Sequence, residues 1–79
     1  MMEIERVTCS LATLKTGDVG VVQRIASHEA RSKRLADMGF VRGARLEVVR
    51  RGHPCIVQLD GTRVGLGRLH QASIELSVD

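Results

Sequence analysis

The sequence predicts a mainly β protein: a small, strongly bent antiparallel barrel of about five strands, with one inserted α-helix and one short helical turn. Three observations favour this class. Short runs of β-branched residues recur between turn signals, the pair Asp60-Gly61 separates two of these runs, and a single helical pattern interrupts them. The chain has 79 residues, which predicts one domain over residues 1–79. Closure of the barrel would hide the sheet edges.

The composition limits the core. Hydrophobic residues make up 43% of the chain, but Phe40 is the only aromatic residue, so the core is expected to be thin and aliphatic.

There is no recognisable signal peptide and no apolar run of the roughly 18 to 20 residues that span a bilayer, which predicts a cytoplasmic protein. Cys9 and Cys55 lie far apart. Without the clustered spacing of a disulfide framework or a zinc motif, they are expected to be reduced thiols.

The first elements are short. Residues 1–9 show no clear period and are predicted to form a loosely held tail, with an added edge strand over residues 4–8 as an option. Ser10 is a suitable N-cap for one helical turn, held to the core by Leu11 and Leu14. After a turn at Gly17, the β-branched run Val19–Ile25 predicts the first full strand. Alternation would place Val19, Val21 and Ile25 on one face and Gly20, Val22 and Arg24 on the other.

A helix is predicted next, over residues 29–38. Ser27 can cap it, and the negative charge of Glu29 suits its first turn. Gly39 is well suited to the left-handed conformation that ends a helix, and in such a Schellman ending Leu35 and Phe40 would meet. The residues expected on the buried side of the helix are Ala30, Leu35 and Met38.

Four further strands and a helical turn complete the prediction. Gly43 begins a strand with Ala44, Leu46 and Val48 on one face and Arg45, Glu47 and Val49 on the other. After a turn, Pro54 is expected to begin the strand that continues through Cys55–Leu59, and Asp60-Gly61 forms a type I′ turn into Thr62–Leu66. One helical turn is expected within residues 67–72. The last strand, over residues 73–78, would point Ile74, Leu76 and Val78 inward and Ser73, Glu75 and Ser77 outward.

Positive charge is concentrated in the middle of the chain. The net charge is +3, but residues 24–52 hold eight Lys/Arg against three acidic residues, a local charge of +5. Such a surface favours an acidic partner, whether a protein face, anionic lipid or phosphate. The alternative is a basic surface that is merely solvated.

No catalytic arrangement is recognisable. The chain has no plausible Ser-His-Asp order, no paired carboxylates in a turn and no Gly-x-x-x-x-Gly-Lys phosphate loop, so the sequence predicts no enzyme. His28, His53, Cys55 and His70 are the candidate metal ligands, and His53-x-Cys55 could direct two donors to one side of a strand. Because this spacing is sparse, surface histidines and a buried thiol are expected rather than a metal site.

Several of these residues together resemble the FeoA-type domain of bacterial ferrous-iron transport. The most specific part is the pattern Arg-Leu-x-x-Met-Gly-Phe-x-x-Gly over residues 34–43. The rest of the resemblance, which covers nearly the whole chain, depends on Leu11, Leu14, Gly17, Pro54, Ala72 and Ile74. The chain departs from the family at Gly65-Leu66-Gly67-Arg68, where an apolar segment without glycine is common.

The resemblance implies an SH3-like barrel and a small accessory protein that acts, without a cofactor or enzymatic activity, on FeoB, a membrane transporter with a GTP-binding domain. Structural roles are expected for Gly17, Gly39, Phe40, Gly43, Pro54 and Gly61. The predicted partner-binding residues surround the helix ending: Arg31, Arg34, Leu35, Met38, Val41, Arg42 and Arg45.

The same residues also fit other roles. For Leu35, packing in the core is favoured over a place in the partner-binding surface. A small basic nucleic-acid-binding or transcription-regulating barrel is the rival function, but a buried Phe40 would leave no aromatic side chain on which bases could stack, so a protein partner ranks above nucleic acid. Self-association through an exposed strand edge is a further option.

Overall fold

The computed structural model describes residues 8–78. The elements, in chain order, are β1 (Thr8–Ser10), a 3₁₀ turn (Leu11–Thr13), β2 (Val19–Ile25), α1 (Glu29–Asp37), β3 (Arg45–Arg50), β4 (Cys55–Leu59), β5 (Thr62–Leu66), α2 (Arg68–Ser73) and β6 (Ile74–Ser77). Of the optional edge strand at residues 4–8, only Thr8 lies within the described residues, where it begins β1. The other residues of that prediction lie outside them.

The six strands form one antiparallel sheet in the order β1-β6-β2-β3-β4-β5. The prediction of a closed barrel of about five strands is therefore wrong about closure, because the sheet is open. β1 pairs with β6, from Thr8 opposite Ser77 to Ser10 opposite Glu75, and so occupies the edge of β6 that β2 leaves free. Within residues 8–78, no backbone ladder joins β1 to β5, and the sheet stays open.

A single core lies against one face of this curled sheet, because every strand except β1 supplies residues to one buried cluster. Leu35 of α1 and Phe40, which follows it, close the cluster from outside the sheet. The buried hydrophobic residues are Leu11, Leu14, Val22, Leu35, Phe40, Leu46, Val48, Cys55, Val57, Leu59, Leu66, Ile74 and Leu76. The prediction of a thin aliphatic core around one aromatic ring is confirmed.

The predicted ending of α1 is confirmed. Gly39 has φ +104°, its N–H donates to the carbonyl of Ala36 (3.0 Å), and the N–H of Phe40 donates to the carbonyl of Leu35 (3.0 Å). These are the two hydrogen bonds of a Schellman motif. They turn the chain so that Phe40 enters the core beside Leu35, while Met38 stays exposed, against the prediction that Met38 is buried. Ala30 is exposed as well.

The predicted N-cap of α1 is wrong. His28 occupies the N-cap position and makes no side-chain capping bond. Ser27 lies one residue too early, and its hydroxyl instead pairs with the hydroxyl of Ser32 at 3.2 Å. By contrast, Ser10 caps the 3₁₀ turn as predicted, since its Oγ accepts from the N–H of Ala12 at 3.2 Å.

Two departures from alternation change which side chains face the core. A register shift between Val22 and Arg24 turns Ile25 to the core side with Val22, although strict alternation puts them on opposite faces. Ser73 and Ser77, which alternation in the predicted last strand would point outward, are both buried. Ser73 belongs to the last turn of α2, where its hydroxyl donates to the carbonyl of Leu69. Ser77 lies between two strands, and its hydroxyl accepts from the Nε2 of Gln23 at 2.8 Å.

The turn between β4 and β5 is as predicted, with φ of +50° at Asp60 and +79° at Gly61. Pro54 does not begin β4. It ends the preceding turn, joined to His53 by a cis peptide bond, and the strand starts at Cys55.

α2 is held by a buried amide that the sequence does not reveal. The Nε2 of Gln71 donates to the carbonyls of Leu66 (2.9 Å) and Gly52 (3.0 Å), and the backbone carbonyl of Gln71 accepts from the hydroxyl of Ser10 (3.1 Å). One residue therefore ties α2 to the end of β5, to the β3–β4 turn and to β1.

Candidate functional site

A groove of about 820 Å³ lies beside the end of α1. The segment that follows the helix forms one wall, and strands β3 and β4 with the β4–β5 turn form the other. Its lining residues are Val19, Met38, Gly39, Val41, Ala44, Arg45, Leu46, Glu47, Gln58, Leu59, Asp60 and Thr62.

Two glycines shape the wall formed by the segment after α1. A Cβ atom at Gly39 would lie 3.2 Å from Cδ2 of Leu59, so the absence of a side chain lets this segment approach β4 closely. Gly43, at φ +92°, completes a turn in which the N–H of Ala44 donates to the carbonyl of Val41 at 2.9 Å. The turn holds Val41 at its corner, where its side chain cannot reach the core.

The groove has an exposed apolar rim. Met38 is 39% exposed and Val41 is 50% exposed, and both line the groove. Among the described residues, the one other large hydrophobic side chain that is exposed is Leu69, on α2. Two of the three exposed large hydrophobic residues described therefore line the same groove, which makes this groove the candidate contact surface.

Charges of both signs surround that apolar rim. Arg45 and Glu47 are exposed neighbours on the outward side of β3, and Asp60 adds a carboxylate from the β4–β5 turn. The two carboxylates were not among the predicted site residues. Glu47 could have been found, because alternation places it on the same strand face as Arg45. Asp60 could not, because the approach of the β4–β5 turn to the end of α1 depends on contacts distant in sequence.

The structure brings together only some of the predicted partner-binding residues. Met38, Val41 and Arg45 line the groove, and Arg42 is exposed at the turn beside Val41. Arg31 and Arg34 lie on α1 outside the lining, Arg31 half-buried and Arg34 exposed. Leu35 is 0% exposed, so it does not reach the surface, and its core role is the one that the structure shows.

The candidate metal ligands lie on different elements. His28 precedes α1, His53 lies in the β3–β4 turn, and His70 is on α2. Within residues 8–78, no group of three or more His, Cys, Asp or Glu side chains could hold a metal ion. Burial raises the pKa of the Cys55 thiol, and the nearby Arg51 guanidinium lowers this pKa by less, so the thiol stays protonated at neutral pH.

No helix in the described part of the chain is long and apolar enough to cross a membrane.

The open antiparallel sheet with its inserted helix has the fold of a small SH3-like domain, and comparison with known proteins identifies the family. The model of the FeoA domain matches residues 9–77. The chain therefore belongs to the FeoA domain family, which is associated with ferrous iron transport. No curated protein sequence matches the chain.

Solved FeoA structures share the fold. FeoA from Chlorobium tepidum is 34% identical, with a TM-score of 0.81 over 89% of this chain and 70% of that one. FeoA from Stenotrophomonas maltophilia in complex with zinc is 29% identical, with a TM-score of 0.72 over 90% of this chain and 89% of that one. That protein is described as a procaryotic SH3 domain protein, with a suggested role as a ferrous iron transport activating factor.

The same fold also occurs within metal-dependent repressors. A manganese-dependent transcriptional repressor is 24% identical, with a TM-score of 0.86 over 96% of this chain but only 44% of the repressor. At this identity the likeness shows the fold alone.

Proposed function

We propose that this protein is a non-catalytic accessory factor of ferrous iron uptake that binds the cytoplasmic GTP-binding region of a FeoB-type membrane transporter. Membership of the FeoA family supports the pathway. The observation that carries the mode of action is the exposed pair Met38 and Val41 at a groove with charged residues around it. Action by contact needs no cofactor, and no proposed step uses one.

The energetics of protein interfaces favour this groove as the contact. Binding energy is concentrated in a few side chains at the centre of an interface, which enter pockets and lose their water. Met38 and Val41 are exposed in the free protein. Burial of their apolar surface against a partner would therefore contribute favourable free energy to binding. Methionine is also flexible and polarisable, and adapts to an irregular partner surface.

The charges at the groove specify the partner surface more closely than the basic composition does. Arg45 lies beside Glu47, and Asp60 faces them from the β4–β5 turn. A purely acidic partner face would meet two carboxylates here. The surface that fits is apolar at its centre and carries charges of both signs, while Arg34 and Arg42 outside the groove attract acidic groups at its edge and speed the encounter.

The rival function, nucleic-acid binding, lacks a structural basis at this site. Phe40, the only aromatic residue of the chain, is 1% exposed. No aromatic ring is available to stack on a base, and stacking supplies much of the affinity for single strands.

The experiment is a calorimetric binding titration of the isolated cytoplasmic domain of the transporter with this protein. Replacing both Met38→Ala and Val41→Ala is expected to raise Kd by about tenfold or more, because two central contacts are lost. Leu69→Ala is the matched control, since it also removes an exposed apolar side chain but lies on α2. It is expected to leave Kd unchanged.

Two results would overturn the proposal. One is the absence of binding by the wild-type protein in every nucleotide state of the transporter domain. The other is tight, salt-resistant binding of tRNA or duplex DNA together with no capture of the transporter domain.

A further inference from the structure

Three segments converge at the end of β4 that lies away from the groove. The β3–β4 turn contacts the turn before β2, because the N–H of Arg51 donates to the hydroxyl of Thr16 at 3.4 Å. The same turn contacts α2, because the Nε2 of Gln71 donates to the carbonyl of Gly52 at 3.0 Å. These bonds hold the three segments as neighbours on one surface.

This surface is strongly basic. Its segments carry Lys15, Arg50, Arg51 and Arg68, all exposed, and we call these four residues with Leu69 the cationic end. Asp18 is the one acidic residue within the three segments, and its Oδ2 accepts from the backbone N–H of Lys15 at 2.8 Å. Within residues 8–78, the one ion pair is between Arg24 and Glu75, so none of the four cations is paired with a carboxylate there.

The outward face of α2 adds an apolar side chain to this charge. Gln71 and Ser73 are buried, which leaves Arg68, Leu69 and Ala72 on the exposed side of the helix. Leu69 is 65% exposed, the most exposed large hydrophobic residue described. An apolar environment would stabilise the exposed leucine, and a nearby anion would stabilise the unpaired arginines.

We infer that the cationic end binds the surface of an anionic phospholipid bilayer. Lys15, Arg50, Arg51 and Arg68 lie against the lipid phosphates, and Leu69 enters the boundary between head groups and acyl chains. The surface of a bilayer provides the anion and the apolar environment together, since it presents negative charge directly beside an apolar layer. A nucleic acid would neutralise the cations but leave Leu69 in water. The inference does not depend on the proposed transporter contact, which uses a different surface.

The strength of this binding can be bounded. Each Lys or Arg near an anionic membrane contributes a factor of roughly five to the partition coefficient, and salt weakens it. Four such cations and one leucine give reversible binding rather than a permanent anchor.

The test uses sedimentation of the full chain with lipid vesicles in about 0.1 M salt. The wild-type protein is expected to bind vesicles that contain phosphatidylglycerol and to ignore pure phosphatidylcholine. The double variant Arg51→Gln/Arg68→Gln is expected to lose roughly twenty- to thirtyfold in partition coefficient. The matched control Arg31→Gln/Arg34→Gln removes the same charge from α1, and a loss of no more than about threefold is expected because these residues are not part of the cationic end.

A fluorescent variant tests insertion separately. The chain contains no tryptophan, so Leu69→Trp places a single reporter on α2. Its emission is expected to shift to the blue with anionic vesicles, whereas a Val41→Trp reporter at the groove is expected to stay unchanged. The inference is overturned by absence of wild-type binding, by equal losses in the two arginine pairs, or by an unshifted Leu69→Trp emission together with binding of a short DNA duplex.

Discussion

Gly39 meets three requirements that no other residue type meets together. It has φ +104°, its N–H satisfies the carbonyl of Ala36, and its lack of a side chain allows contact with Leu59. The positive φ orders the helix ending, and the lack of a side chain sets the depth of the groove. One residue therefore links the end of α1 to the candidate site.

The replacement Gly39→Ala is expected to destabilise the fold by about 1 to 2 kcal/mol, because an L-residue resists the left-handed region. For a domain of this size, each kcal/mol lowers Tm by about 4 to 8 °C, which thermal unfolding detects. Gly65→Ala is the matched control. A Cβ there would lie 3.5 Å from its nearest neighbours, an ordinary contact, so Tm should hold or rise. Equal effects at both positions would show that Gly39 is not a required cap.

The Cys55 thiol makes stability depend on pH. Burial raises its pKa in the folded protein, with Arg51 opposing the shift. The folded state therefore holds this proton more tightly than the unfolded chain does. The contribution of this thiol to the free energy of unfolding is fully present below the pKa of the thiol in the unfolded chain, about 8.5. It is lost as pH rises from there through the pKa of the thiol in the folded protein.

We expect the free energy of unfolding to fall above about pH 8.5 more steeply in the wild-type protein than in Cys55→Val, which has no thiol at this position. Urea titrations of both proteins across this range measure the difference. Cys9, which is present in both proteins, cancels in the comparison. Parallel pH profiles would contradict the buried, protonated thiol.

At the scale of the element, α2 is a six-residue helix that cannot be stable by itself and is held by the amide of Gln71. Its Nε2 supplies bonds to Gly52 and Leu66, which are distant from each other in sequence. Removing the amide leaves two carbonyl groups without this donor.

Gln71→Ala is expected to cost about 1 to 3 kcal/mol in free energy of unfolding, measured by urea denaturation. Gln58→Ala, at an exposed glutamine of β4, is the control and should change stability by less than about 0.5 kcal/mol. Amide exchange should also accelerate in α2 before the central strands are affected. A neutral Gln71→Ala would mean that water replaces the amide without cost.

Elements whose signals are local were predicted well. The bounds of β2 and β5, the helix ending at Gly39 and the turn at Asp60-Gly61 agree with the structure, because alternation and glycine chemistry act over a few residues. Two of the misplaced residues, Ile25 and Ser77, depend on pairing between distant segments. The bulge that turns Ile25 inward and the burial of Ser77 both arise where β2 meets β6.

At the scale of the whole molecule, the order of strands separates two surfaces. β4 runs from the β3–β4 turn, which belongs to the cationic end, to the β4–β5 turn, which borders the groove. Three of the groove's lining residues, Met38, Val41 and Arg45, were among the predicted partner-binding residues. The sequence could not predict Asp60 and Leu59 as their neighbours, because a curled sheet brings these residues together only when it folds.

The central claim is that partner contact occurs at the groove. Nitrogen–proton correlation spectra of the labelled 79-residue protein, recorded while the transporter's cytoplasmic domain is added, test it residue by residue. We predict that the perturbed amides lie in residues 38–47 and 58–62, and that those of α2 and the 3₁₀ turn stay in place. Perturbations confined to α2, or spread evenly over the chain, would contradict the account.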